Sequence, residues 1–406
     1  MNSSRAAFRY PNFRFYMLSR FLTASSAEMQ AVAVAWQVYA LTHRPLDLGF
    51  VGLAQFLPGF LLFLPAGHTA DRAPRKVILQ FCFAAFALCS LLLLGLTLRG
   101  FTSMIPLYLA LVFNGIVRAF SGPASQAFLP LIVPAEDFPN TVAWSSSNFQ
   151  AATILGPVAG GLIYGWTGSA IPVYAGSAIA NLAALLAMFA IRVQASERPR
   201  STASAGDLLS GIKYIWSNKL ILAAISLDLF AVLLGGAVAL LPVYAREILN
   251  VGAFGLGILR TAPGVGAVIT AILVAHWPLR RRAGMVMLWC VFGFGLATII
   301  FGISRSVTLS LAVLVVAGSC DMVSVIVRHT MIQLATPDEM RGRVSAVNMV
   351  FIGASNEVGQ FESGITAQWF GTVPAVVLGG VGTVAIVTLW AWLFPELRRV
   401  DKLGAH

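Results

Sequence analysis

Charge is scarce in this chain. Asp, Glu, Lys and Arg together make up 11% of its 406 residues, against 58% hydrophobic residues. With a mean hydropathy of +0.82, too little polar surface exists to shield the apolar residues from water, so most must face lipid or each other. That excludes an ordinary soluble protein. Cysteine is rare too: Cys82, Cys89, Cys290 and Cys320 each fall inside apolar runs, without disulfide-framework or metal spacing. The five histidines are scattered, and no paired-histidine helix motif or nucleophile-with-base arrangement occurs. No enzyme, metal or cofactor is expected. No G-x-x-x-x-G-K-[ST] run is present, which argues against direct ATP drive.

What is present is a series of long apolar segments. A helix needs roughly 20 apolar residues to cross the hydrocarbon core. Twelve candidates can be read, at about 15–40, 48–70, 77–98, 104–128, 140–165, 170–192, 219–243, 253–276, 284–303, 307–334, 344–367 and 372–394. Alternating β-barrel patterning is absent. Of the 27 basic residues, nineteen fall at the N-terminus, the C-terminus or the even-to-odd connections, and Arg44, Arg99, Arg246 and Arg305 fall on the opposite side. The positive-inside rule then places both termini in the cytoplasm. The net charge of +11 is spread over loop ends rather than gathered in a domain, so topology explains it and nucleic acid is not an expected partner. The basic N-terminus lacks a small-residue cleavage site and does not read as a removable signal.

The chain also repeats itself. VPAEDFPNTVAW at 133–144 lies over TPDEMRGRVSAV at 336–347 at an offset of 203, with Pro134 on Pro337 and Glu136 on Glu339. Gly156 and Gly161 meet Gly359 and Gly364 at the same offset. The expected organisation is an N-terminal six-helix half over 1–192, a cytoplasmic linker over 193–218 and a C-terminal six-helix half over 219–406. The linker begins polar, and from Asp207 it reads as a short amphipathic helix.

Two short motifs sharpen this picture. GHTADRAPRK at 67–76 joins two apolar runs through a tight, charged connection, in which Asp71 beside Arg72, Arg75 and Lys76 can clasp neighbouring helix ends. It resembles the loop between helices 2 and 3 of the major facilitator superfamily, with Gly67, Asp71, Arg72, Arg75 and Lys76 matching; Thr69 and Pro74 depart from the pattern. LGPVAGG at 155–161 resembles the helix 5 motif of proton-driven exporters in that superfamily, through Gly156, Pro157, Gly160 and Gly161. Small residues there let helices approach closely, and Pro157 removes a backbone donor. RGRVSAVNMVFIGASNEVGQFESG at 341–364, RAFSGPASQAFLP at 118–130, the segment 228–247 and RTAPGVGA at 260–267 resemble the branch that holds enterobactin exporters and other siderophore and macrolide efflux proteins. The second-half counterpart of the charged loop, HWPLRRR at 276–282, lacks the acid. The resemblance implies an all-α integral membrane protein of twelve transmembrane helices in two pseudo-symmetric halves, with substrate near the midplane.

Ionisable groups inside the apolar segments are the candidate functional residues, because each costs roughly 2.5–3.5 kcal/mol on insertion scales. They are Arg20 and Glu28, Arg118, Asp228, Arg260, Asp321 and Arg328, and Glu357 and Glu362. In the superfamily, helices 1, 4, 7 and 10 line the central cavity, and each of those segments carries a charge here. Arg118, Asp321, Arg328 and Glu28 are therefore expected substrate contacts. Arg118 can fork onto paired oxygens, or it can form an ion pair with Glu28 or Asp321 that only holds helices together. Asp321 and Arg328, seven residues apart, share a helix face about 10 Å apart. Glu28 and Asp228 are the expected proton carriers, a permanent salt bridge being the alternative. Glu357 and Glu362 are expected to support coupling. The resemblance implies a monomeric, proton-coupled exporter of the bacterial cytoplasmic membrane that moves a small amphipathic compound, a catecholate siderophore first. A drug or macrolide pump, and a lipid transporter on the same fold, are its alternatives. A membrane enzyme or a ligand sensor is the reading from another class.

Overall fold

The computed structural model describes residues 7–100, 103–192, 205–277 and 282–401, all helical or connecting. The helices run α1 Pro11–Thr42, α2 Pro45–Leu61, α3 Phe63–Arg72, α4 Arg75–Arg99, α5 Ile105–Phe128, α6 Phe138–Thr167, α7 Ile171–Ala190 and α8 Ala205–Ser217. They continue with α9 Lys219–Leu234, the single turn α10 Leu241–Val243, α11 Gly252–His276, α12 Ala283–Ile303, α13 Val307–Ala335, α14 Asp338–Phe370, α15 Thr372–Leu393 and the short α16 Pro395–Arg399. A helix occupies each of the twelve apolar segments read from the sequence. Among the described residues, eight helical stretches are long and apolar enough to cross a membrane. The apolar α2 falls just short in length, while α1, α6 and α14 are diluted by polar residues.

Two segments are broken, each for a local reason. Leu62 interrupts the second segment between α2 and α3. Pro65 has no N–H to return to Leu61, although Leu62 and Ala66 still bond back to Pro58 and Leu62. In the seventh segment α9 ends at Gly235, and a 3₁₀ stretch over Ala237–Leu240 and a π turn over Tyr244–Ile248 complete the crossing. Consecutive glycines weaken a helix, and here they admit a neighbour: a Cβ on Gly236 would lie 3.2 Å from the Gly359 backbone of α14. Ser363 Oγ donates to Gly236 O at 3.2 Å.

The chain forms two compact units. The first comprises Met1–Val38, Ala54–Ala203 and Ala253–Gly257; the second comprises Tyr39–Leu53, Ser204–Gly252 and Ile258–His406. In the first, Phe13, Leu79, Phe83, Phe128, Met188 and Ile191 close a fully buried cluster. With no hydrophobic drive between helices in lipid, polar ties and close packing hold such a bundle. Gln30 Nε2 donates to Ser90 Oγ at 2.6 Å, and Asn181 Nδ2 reaches Ser26 Oγ at 2.9 Å and Ser90 Oγ at 3.2 Å, joining α1, α4 and α7. In the second, Thr383 Oγ1 donates to Ala231 O and Trp390 Nε1 to Ser226 Oγ, tying α15 to α9. The amphipathic segment begins at Ala205, two residues before Asp207, and α8 packs Ile215 with Ile221, Ile225, Ile332, Val344 and Val347. Residues 193–204 of the expected linker, and Arg280 and Arg281, lie outside the described residues.

Candidate functional site

The charged connection between α3 and α4 turns its bases onto helix ends. Arg75 Nη1 donates to Ala127 O at 3.2 Å, at the close of α5, and Lys76 Nζ donates to Ile191 O at 2.6 Å, just past α7. The last carbonyls of a helix lack internal partners and carry the negative end of its dipole, so a cation there is favourable. Arg72 is exposed at the end of α3, and the side chain of Asp71 lies outside the described residues. A Cβ on Gly67 would meet nothing within 4 Å among the described residues, so local packing does not demand that glycine.

The glycines of α6 behave differently. A Cβ on Gly156 would fall 2.6 Å from Glu28 Cβ, and one on Gly160 would fall 2.8 Å from Met29 O; both neighbours lie on α1. One on Gly161 would fall 2.8 Å from Ala253 O and 2.9 Å from Gly257 Cα. The repeat is realised in this packing. Gly359, the partner of Gly156, approaches Leu233 of α9, and Gly364, the partner of Gly161, approaches Gly49 and Pro45 of α2. Pro157 sits inside α6, and a Cβ on Gly257 would lie 2.5 Å from its carbonyl oxygen.

The ionisable residues separate into two groups. In the first unit, Glu28 is half-buried on α1. Arg118 is exposed on α5, with Nη1 donating to Gln55 Oε1 at 3.4 Å. In the second, Asp228 of α9 and Arg328 of α13 form a direct ion pair, 8% and 2% exposed. Asp321 lines one small cavity together with Asp228 and Ser324. On α14, Glu357 accepts from Gln360 Nε2 at 3.1 Å, and Glu362 from Thr366 Oγ1 at 2.7 Å. Asp228 thus pairs with Arg328 and shares a cavity with Asp321, and Arg328 is buried between helices.

Three features escaped the sequence reading. Ser26 Oγ donates to the backbone carbonyl of Ser177, 151 residues away, in the α1–α4–α7 network; no spacing rule connects them. Tyr39 donates to Glu247, a pairing across two loop ends. Asp401, near the C-terminus, accepts from the Arg282 backbone N–H at 2.9 Å, and its carbonyl accepts from Ala283. An acid from far along the chain thus bonds the backbone at the start of α12.

Apolar helices of spanning length, with charged groups enclosed among them, define a polytopic membrane protein. Solved structures share the fold: the nucleoside transporter NupG at a TM-score of 0.70 and 12% identity, covering 94% of this chain and 99% of that one. A bacterial homologue of the human lysosomal transporter Spinster gives 0.73 at 14% identity, over 96% and 98% of the two chains. The chain belongs to the transmembrane secretion effector family of the major facilitator superfamily, whose family pattern matches residues 2–404. It is 26% identical over 401 residues to the enterobactin exporter EntS of Shigella boydii, covering 96% of this chain and 93% of the relative, and matches EntS of Escherichia coli O1:K1 to the same extent. It is a transporter, not an enzyme.

Proposed function

We propose that the chain is a proton-coupled exporter of a small amphipathic compound, with catecholate siderophores the leading class. It works by alternating access as a monomer in the bacterial cytoplasmic membrane, with both termini in the cytoplasm. The observation that carries this reading is the set of ionisable residues held within apolar helices: Glu28 and Arg118 in one unit, Asp228, Asp321 and Arg328 in the other. Such groups are costly in a membrane and accompany ion and substrate pathways. The substrate class rests on the end-to-end similarity to an enterobactin exporter. Glu28 and Arg118 are assigned to substrate, Glu28 also to proton movement, and Glu357 and Glu362 to the support of α14.

Uptake of enterobactin into inverted membrane vesicles, driven by a proton gradient, tests the reading. Accumulation that collapses with a protonophore and in Glu28→Gln supports it. Accumulation that survives a protonophore removes the proton, and uptake of macrolides or dyes in place of enterobactin makes the chain a drug pump.

A further inference from the structure

The four cysteines read alike in the sequence, but the fold sorts them into two kinds. Cys82 and Cys89 are buried on α4, where their thiols donate to Val117 O at 3.8 Å and Ala110 O at 3.4 Å on α5. Seven residues along one helix separates them by about 10 Å, beyond the span of a disulfide. Cys290 and Cys320 lie on different helices, α12 and α13, and both are free and half-buried.

α12 and α13 pack against each other as a helical hairpin joined by Ser304, Arg305 and Ser306. Residues equally far from such a turn meet at one level. Counted from Arg305, Cys290 stands fifteen residues back and Cys320 fifteen residues on. Met287 and Val323, eighteen residues away on either side, share one buried cluster, which fixes this register. The thiols of Cys290 and Cys320 hydrogen-bond to each other. One turn along the same face of α12, a Cβ on Gly293 would lie 3.1 Å from Cys320 Sγ. With no side chain at 293, the sulfur on α13 reaches the surface of α12. Val291 and Asp321, the next residue after each cysteine, line a small cavity, so a molecule about the size of water has a place beside the pair.

We propose that Cys290 and Cys320 form an oxidation site, converted by hydrogen peroxide into a disulfide that staples α12 to α13. One thiol releases its proton to water and its sulfur attacks a peroxide oxygen. The O–O bond breaks, and the departing hydroxide takes up that proton as water. The other sulfur then attacks the sulfenic sulfur, and its proton leaves with the hydroxyl as a second water. Two electrons pass from the two thiols to the peroxide, so no further reactant is needed. A thiol reductant reverses the bond by exchange. The staple closes the hairpin as a covalent loop and raises its resistance to unfolding. It rests on neither the proton nor the substrate of the reading above.

The test treats the purified full-length protein in liposomes with hydrogen peroxide, then maps thiols by mass spectrometry after denaturation in an alkylating agent. Wild type should keep two of its four thiols, lose the mass of two hydrogens, and yield linked peptides bearing Cys290 and Cys320. Dithiothreitol should restore both thiols. The double variant Cys82→Ser/Cys89→Ser should form the same link, whereas Cys290→Ser and Cys320→Ser should form none. Oxidised wild type should unfold at a higher temperature than reduced wild type, a shift absent from Cys290→Ser. The linked peptides come from the unaltered chain, so a variant that fails to fold does not weaken the result. Four thiols surviving peroxide, a link through Cys82 or Cys89, or oxygen added to single sulfurs without a link overturns the proposal. Equal unfolding temperatures for linked and reduced protein would overturn the staple.

Discussion

Gly156 of α6 and Glu28 of α1 pack so closely that a methyl group on the glycine would sit 2.6 Å from the Glu28 Cβ. The helix 5 motif and a membrane-embedded acid are thus two sides of one contact. Gly160 and Gly161 face backbone atoms at 2.8 Å, which cannot rotate away. Gly160→Ala and Gly161→Ala should each destabilise by about 1–3 kcal/mol, the usual cost of overpacking, and should abolish vesicle uptake. Gly67→Ala, with open space around it, should leave thermal unfolding unchanged or raise it slightly, since alanine is the better helix former. Equal losses at all three positions would show that packing is not what the α6 glycines supply.

Lys76→Met should lower stability by about 0.5–1.5 kcal/mol, the scale of one hydrogen bond, because its ammonium bonds to the carbonyl of Ile191. Asp71→Asn should instead cut transport while the protein remains folded and inserted, if the acid acts in switching between states. Thermal melts read beside vesicle uptake separate the two. Unchanged transport in Asp71→Asn would sink the assignment of that loop.

Asn181 is 2% exposed and bonded to two hydroxyls from two other helices. Asn181→Leu leaves Ser26 and Ser90 short of a donor and should destabilise by about 1–3 kcal/mol. A denaturation midpoint equal to wild type would mean that the network contributes nothing net.

Removing one partner of a buried ion pair leaves the other charge stranded, at about 3–5 kcal/mol. Arg328→Gln should therefore be severely destabilised, and adding Asp228→Asn should recover most of the loss. A double-mutant cycle on thermal stability measures this coupling, and additive losses would contradict the pairing.

Asp401→Ala removes the carboxylate that accepts from the Arg282 N–H just before α12 and should cost about 0.5–2 kcal/mol. Loss of the C-terminal segment from protease protection would accompany it. Identical proteolysis of variant and wild type would leave the cap without consequence.

Much of the fold was written in local sequence, because membrane helices are specified by runs of apolar residues rather than by distant partners. The segments at 253–276 and 307–334 fall within one residue of α11 and α13 at each end, since Gly252, His276, Ser306 and Thr336 mark clear changes of polarity. The breaks at Leu62 and Gly235 were less legible. Proline and glycine signal weakness, but whether a helix bends or stops depends on what packs against it. The helix stops beside Gly236, where α14 comes close.

The candidate site was legible as a set of residues and not as an arrangement. Sequence alone picked out Asp228, Asp321 and Arg328, because each is an expensive charge in an apolar run. It placed Asp321 and Arg328 on one face, since seven residues make two turns. The pairing of Asp228 with Arg328 across 100 positions could not be read, because charge patterning has no range beyond its own helix.

The sequence by itself determined the solvent, the helices, the repeat and the inventory of charges, all of which follow from composition and short-range periodicity. The tertiary structure decided which charges neutralise one another, which glycines are required, and where the C-terminal acid serves. Those outcomes depend on distances between helices, and in a membrane such distances are set by packing and polar ties rather than by a hydrophobic drive between helices.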